Sequence, residues 1–266
     1  MKKTIKTLFL FILCAFLLAG CSFDLSGINE VVESAKPVSL SGELKTQTYL
    51  PYNGFKAKKL VFEKISFIGA ETAKITVVPS DETKVEATYP SDMEDHGFRV
   101  YYKESEIEIS VPKQTNFSAE KFEITVYANV EEIEISGGIE FEMNAEKCRS
   151  IDLDIKGGAD VYIYNIDTVN TDISIAGAAS MDLSGKTGLF ELKLAGAGTI
   201  DAKSLVAEKA EVEISGAGTA EVSVIEELFA DIDGVGTLTY YGDPVLKNIS
   251  GGLTDIEQAS KGVYGG

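Results

Sequence analysis

The sequence predicts an all-β fold, a parallel β-helix (solenoid) with coils of about 20 residues, preceded by irregular β structure. Three observations carry this expectation. Gly137, Gly157, Gly177, Gly196, Gly216, Gly234 and Gly251 form a ruler with steps of 20, 20, 19, 20, 18 and 17 residues. Around each glycine the apolar residues alternate with polar ones, the period of a strand with one face turned inward. No apolar stripe at i, i+3, i+4 persists, and β-branched residues and glycine dominate, which disfavours helix.

The first 20 residues read as an export signal. Lys2, Lys3 and Lys6 form a positive start, and Thr7 to Ala19 is an apolar run of 13 residues, too short to span a bilayer as a helix. The run ends in Leu18, Ala19, Gly20 and Cys21, which is similar to a bacterial lipoprotein signal. That resemblance implies cleavage between Gly20 and Cys21 and attachment of a diacylglyceryl group to the Cys21 sulfur, so the membrane is an expected partner through this lipid. Two or three acyl chains hold a soluble domain on a bilayer almost permanently.

Residues 21–46 mix Ser, Gly, Glu and Lys without a sustained period and read as a flexible tether. The alternative for this stretch is a short strand near Val38 to Leu40. Residues 47–132 form an amino-terminal β region. It alternates over Leu60–Ile68, Lys74–Val78, Lys84–Tyr89, Phe98–Tyr102, Ile107–Val111 and Phe122–Val130 but has no glycine ruler. Its irregular structure is expected either to pack on the solenoid or to continue it.

Residues 133–266 are the regular solenoid, with a carboxy-terminal cap from about residue 247. Two places before the glycines stand Ile135, Ile155, Ile175, Leu194, Ile214, Ile232 and Ile249, all large aliphatics. Alternation resumes four places after them, at Phe141, Val161, Met181, Ile200, Ala220 and Leu238. The glycines are read as turn residues, since a corner without a Cβ lets successive coils stack closely. Lys247 and Asp255 fall where other repeats are apolar, which suggests an end cap that blunts edge pairing.

Three stretches carry a family resemblance: FEKISFIGAETAKITVVPSDETKVEA, EITVYANVEEIEISGG, and ISGAGTAEVSV with the later GVGTLTYYGDP. They resemble the auto-transporter adhesin "head GIN domain" family, whose activity is unassigned, over about residues 59–256. The resemblance implies an exported protein with an all-β, right-handed helical fold, and it transfers no catalytic residues.

Composition narrows the function. Without Lys2, Lys3 and Lys6 the chain has 21 basic and 42 acidic side chains. Such a surface repels phosphate backbones, so no nucleic-acid partner is expected. There is one His, His96, and two Arg, Arg99 and Arg149, a thin supply of groups for acid–base work. His96 lies in an acidic predicted loop and reads as solvated, and Cys148 reads as a small core or turn residue. The acidic residues outside the ladders, among them Asp152, Asp154, Asp160, Asp172, Asp182, Asp201, Asp231 and Asp233, read as a solvated face. A calcium-binding β-roll needs a nine-residue period that this chain lacks. Tyr240 is expected to continue a ladder and Tyr241 to cover the solenoid end. No metal, cofactor or catalytic residue is expected. The reading is a lipid-anchored cell-envelope solenoid that binds, adheres or scaffolds, with an envelope polysaccharide or protein as partner. The alternative is a glycan-active β-helix enzyme of the polysaccharide lyase or hydrolase type.

Overall fold

A computed structural model describes residues 37–67 and 73–259, over 248–255 in backbone only. The export signal, Gly20, Cys21 and the tether up to residue 36 lie outside the described residues. The fold is all-β, a single curled sheet of twelve strands. The strands are β1 (Val38–Ser39), β2 (Leu44–Tyr49), β3 (Lys59–Phe67), β4 (Ala73–Val78), β5 (Lys84–Pro90), β6 (Arg99–Lys103), β7 (Glu106–Ser118), β8 (Phe122–Tyr127), β9 (Glu132–Asn144), β10 (Ser150–Ile214), β11 (Ala217–Tyr241) and β12 (Val245–Gln258). One 3₁₀ helix, Ser91–His96, separates β5 from β6.

Each repeat contributes one rung, and neighbouring rungs pair in parallel. In β10, Leu153, Ile155, Gly157, Val161 and Ile163 stand beside Ile133, Ile135, Gly137, Phe141 and Met143 of β9, an offset of 20 residues. β10 and β11 pair in the same sense, with Ile214 beside Ile232. The inward residues form dry ladders, and Ile155, Ile175 and Ile214 are at most 1% exposed. Burying an aliphatic side chain of this size is worth about 1.5–3 kcal/mol, so each added rung contributes core as well as hydrogen bonds.

The glycines do not reverse the chain. The hydrogen-bonded ladder runs straight through Gly137 and Gly157. Their role is close approach: a Cβ on Gly196 would lie 2.0 Å from the carbonyl oxygen of Gly177. The last glycine leaves this ladder. Register shifts on either side of Asp231–Ile232 set Gly251 beside Ile232 rather than Gly234. The same shifts place Lys247, exposed, beside Phe229, and set Leu246 and Ile256 beside Leu228 and Leu238. The expected cap from residue 247 is therefore corrected: β12 is a further rung along its whole length, and residues 260–266 lie outside the described residues.

The amino-terminal region continues the same sheet, and its rungs are not in chain order. β3 lies between β7 and β9, and β4 between β8 and β9, all parallel. The first rung in sequence is thus the second in space, and β7–β8 forms the outermost one. Superposed hydrophobic residues explain the choice: Ile107, Leu60 and Ile133 make one ladder, and Ile124, Ile75 and Phe141 another. All six are at most 1% exposed. At the corner where later rungs have glycine, β3 carries a bulge at Lys64, whose φ is 65°.

The outermost rung is covered by antiparallel strands, β6 on β7 and β5 then β2 on β8. Aromatic residues close this end of the core. Phe98 packs on Tyr89 and Phe122, with ring centroids 4.7 and 5.9 Å apart, and Met93 of the 3₁₀ helix is fully buried. The tether boundary is corrected here, because Val38–Ser39 pairs with β7 and Leu44–Tyr49 with β5. Between them Asp92 Oδ2 accepts the N–H groups of Ser41 and Gly42 at 2.8 and 3.0 Å, so these residues are held by the fold.

Candidate binding faces

Alternation that sends aliphatics inward sends the residues between them out, one per rung. Before the glycines this builds a line of carboxylates: Glu132, Asp152, Asp172, Glu191 and Glu211. Burial first, then Asp172 and Glu132, push the Asp152 pKa above the ordinary carboxylate range. Glu191 moves the same way through burial and then Asp172 and Glu211. Beside this line Lys59 binds Glu134, and Lys156 binds Asp154 at 2.6 Å. The face after the glycines carries Glu140, Asp160, Asp182, Asp201 and Glu221, bridged at Lys74 and Lys203. Burial followed by Glu140 raises the Asp160 pKa. Tyr162 stands out of this face, 44% exposed.

The faces are shallow. One cleft of ≈ 140 Å³ lies among Glu63, Glu134, Ser136, Asp154 and Lys156. Another, of ≈ 240 Å³, lies among Lys58, Lys59, Lys103, Glu106 and Glu132. Among the described residues no three His, Cys, Asp or Glu side chains gather to hold a metal ion. Likewise, no helix among them is long and apolar enough to cross a membrane.

The singled-out residues fall as follows. His96 is exposed at the end of the 3₁₀ helix, its ring edge-on to Phe117 at 5.5 Å. Cys148 is buried, its Sγ–H donates to the Val130 carbonyl at 3.3 Å, and burial pushes its pKa up to about 11. Tyr240 lies on the inward ladder at 8% exposure. Tyr241 does not cover an end: it projects sideways, and its hydroxyl donates to Glu221 at 3.4 Å.

Sequence reasoning missed a polar network at the covered end. Tyr89 hydrogen-bonds Tyr49 at 2.7 Å, Lys45 binds Glu94, and Lys45 also lies over the Tyr89 ring at 5.3 Å. Burial and the neighbouring Tyr49 hold the Tyr89 hydroxyl far above the usual tyrosine range. The only sequence signal was the density of tyrosines among the strands before residue 103.

Comparison with known proteins bears on these faces. A family model described as "Putative auto-transporter adhesin, head GIN domain" matches residues 61–244. A "putative adhesin" from Bacteroides fragilis shares 20% identity over 84% of this chain and 100% of its own, with a TM-score of 0.67. A "putative adhesin" from Parabacteroides merdae shares 16% identity over 85% and 100%, with a TM-score of 0.56. A "putative lipid binding protein" from Parabacteroides distasonis shares 16% identity over 85% and 100%, with a TM-score of 0.54. At such identities the likeness is one of fold. No curated protein matches the chain.

Proposed function

This chain belongs to the auto-transporter adhesin head GIN domain family, and from that premise we propose that it is a lipid-anchored cell-envelope solenoid that binds, adheres or scaffolds without catalysing a reaction. Cys21 is its point of lipid attachment. Its rungs wind as a right-handed parallel β-helix, the hand taken by nearly all parallel crossovers within one sheet.

The observation that carries the reading is the form of the sides. Carboxylates are spread one per rung along open faces, with no deep cleft where an acid and a base converge on one bond. Stacked repeats of this kind build extended contact surfaces. The partner is an envelope polysaccharide or protein, which the acidic sides would contact through cationic or hydrogen-bonding groups.

The test uses the full chain expressed with its signal. Membrane fractionation should place the wild type with membranes and Cys21→Ser in the soluble fraction. Lipid-free mature protein should be retained by isolated cell-wall polymer or envelope protein in a salt-sensitive manner while releasing no new reducing ends. Release of reducing ends that is lost on acid-to-amide substitution would overturn the reading in favour of a glycan-active enzyme.

A further inference from the structure

The covered end of the stack is built unlike its sides. Residues 50–58 cross it from β2 to β3, and the crossing is held in place. The Tyr102 hydroxyl donates to the Tyr49 carbonyl at 2.7 Å, and the Tyr52 hydroxyl to the Glu104 carbonyl at 3.1 Å. Phe55 is buried edge-on between the Tyr52 and Tyr102 rings, at 5.4 and 5.2 Å. The crossing nevertheless turns large apolar groups to the outside. Leu50 is 71% exposed and Tyr52 57%, with Leu44 of β2 and Tyr101 of β6 each at 47% on the same end.

Charge separates this end from the sides. Residues 37–58 and 91–105 carry five basic and five acidic side chains, whereas residues 132–259 carry eight basic and 24 acidic. The end is therefore the neutral part of a strongly anionic protein. It is also where the chain outside the structure leaves: β1 begins at Val38 and lies against the outermost rung. Cys21 is 16 positions before Pro37. Such a length reaches about 55 Å fully extended and roughly 20–25 Å as a flexible coil.

We infer that this end is a membrane-docking surface, on which Leu50 and Tyr52 enter the headgroup boundary of the bilayer that holds the Cys21 lipid. The inference rests on the lipid-anchor reading above. Leucine and tyrosine are suited to that boundary, because an apolar body can be buried while the tyrosine hydroxyl stays wet. The tether raises the local concentration of the bilayer, so a contact too weak to bind membranes alone suffices. Repulsion by anionic lipids acts on the acidic sides far more than on the neutral end, so docking points the sides away from the membrane.

The chain contains no tryptophan, so Tyr52→Trp and, in a second protein, Leu50→Trp each create a single reporter. Ile225→Trp, at a side position 59% exposed, is the control. Each full-length lipid-modified protein is reconstituted in phosphatidylethanolamine–phosphatidylglycerol vesicles with and without brominated acyl chains. Co-flotation of wild type but not Cys21→Ser with the vesicles tests the anchor separately, before any fluorescence is read. Bromolipid should quench the reporters at 52 and 50 at least twofold more than the one at 225. Adding Leu50→Asp to Tyr52→Trp should remove that difference while the protein still floats. Equal quenching at the end and the side, with the protein on vesicles, overturns the docking inference and leaves the anchor standing. A blue shift that follows protein density but not bromolipid also overturns it, and assigns the end to a second copy of the chain.

Discussion

The Cβ that Gly177 lacks would lie 2.0 Å from the carbonyl oxygen of Gly157 and 2.9 Å from its nitrogen. The contact is backbone on backbone, so no side chain can move aside to relieve it. The glycine ladder is therefore a stacking requirement, and its neighbour makes the contrast: a Cβ on Gly158 meets nothing nearer than the Ala178 oxygen at 3.9 Å.

Gly177→Ala should destabilise the fold by about 3 kcal/mol, because two rungs must part and the residue sits at positive φ. Gly158→Ala should change stability by less than about 0.5 kcal/mol. Urea unfolding of the two variants measures the difference, and equal losses would show that the glycines are not there for close approach.

Lys64 turns the corner of β3 in the left-handed region, with φ of 65° and no glycine. A side chain there costs about 1–2 kcal/mol, and glycine recovers most of it less its own entropy on folding. Lys64→Gly should stabilise the protein by about 0.5–1 kcal/mol, and a destabilised variant would place the strain elsewhere.

Asp152 has its pKa raised by burial and by the carboxylates stacked beside it. A raised acid binds its proton more tightly in the folded state, so stability is greatest below the unfolded pKa. It falls as pH rises from the ordinary carboxylate value to the raised one. Asp152→Asn should therefore melt higher than wild type at neutral pH, and the two melting curves should converge on acidification. Added salt should narrow the gap at neutral pH. A lower melting point for the variant at neutral pH would reverse the sign assigned to the carboxylate line.

With its pKa near 11, Cys148 is about 0.1% thiolate at pH 8. In lipid-free Cys21→Ser protein it should be almost unreactive toward Ellman's reagent while folded and titrate as one thiol in denaturant. Rapid reaction of the folded protein would contradict its burial.

Much of the fold was legible in the sequence because side-chain direction along a strand is local. Alternation alone says that Ile155 and Ile214 face inward and Asp152 outward, and both hold. Burial of Cys148 and exposure of His96 followed from composition nearby. The last rung misled because alignment on Gly251 assumed a constant corner, and register shifts around Asp231–Ile232 move every later residue relative to that guide.

Taken alone, then, the amino-acid order determined that this is an all-β chain of repeated inward ladders, and which residues form them. Tertiary structure decided which rung lies beside which, how the end is closed, and where the unburied Leu50 and Tyr52 gather. The reason is that parallel rungs with the same aliphatic period are nearly interchangeable as neighbours. Alternation states that Leu60 is buried, but only packing against both Ile107 and Ile133 inserts its rung between two that come later in the chain.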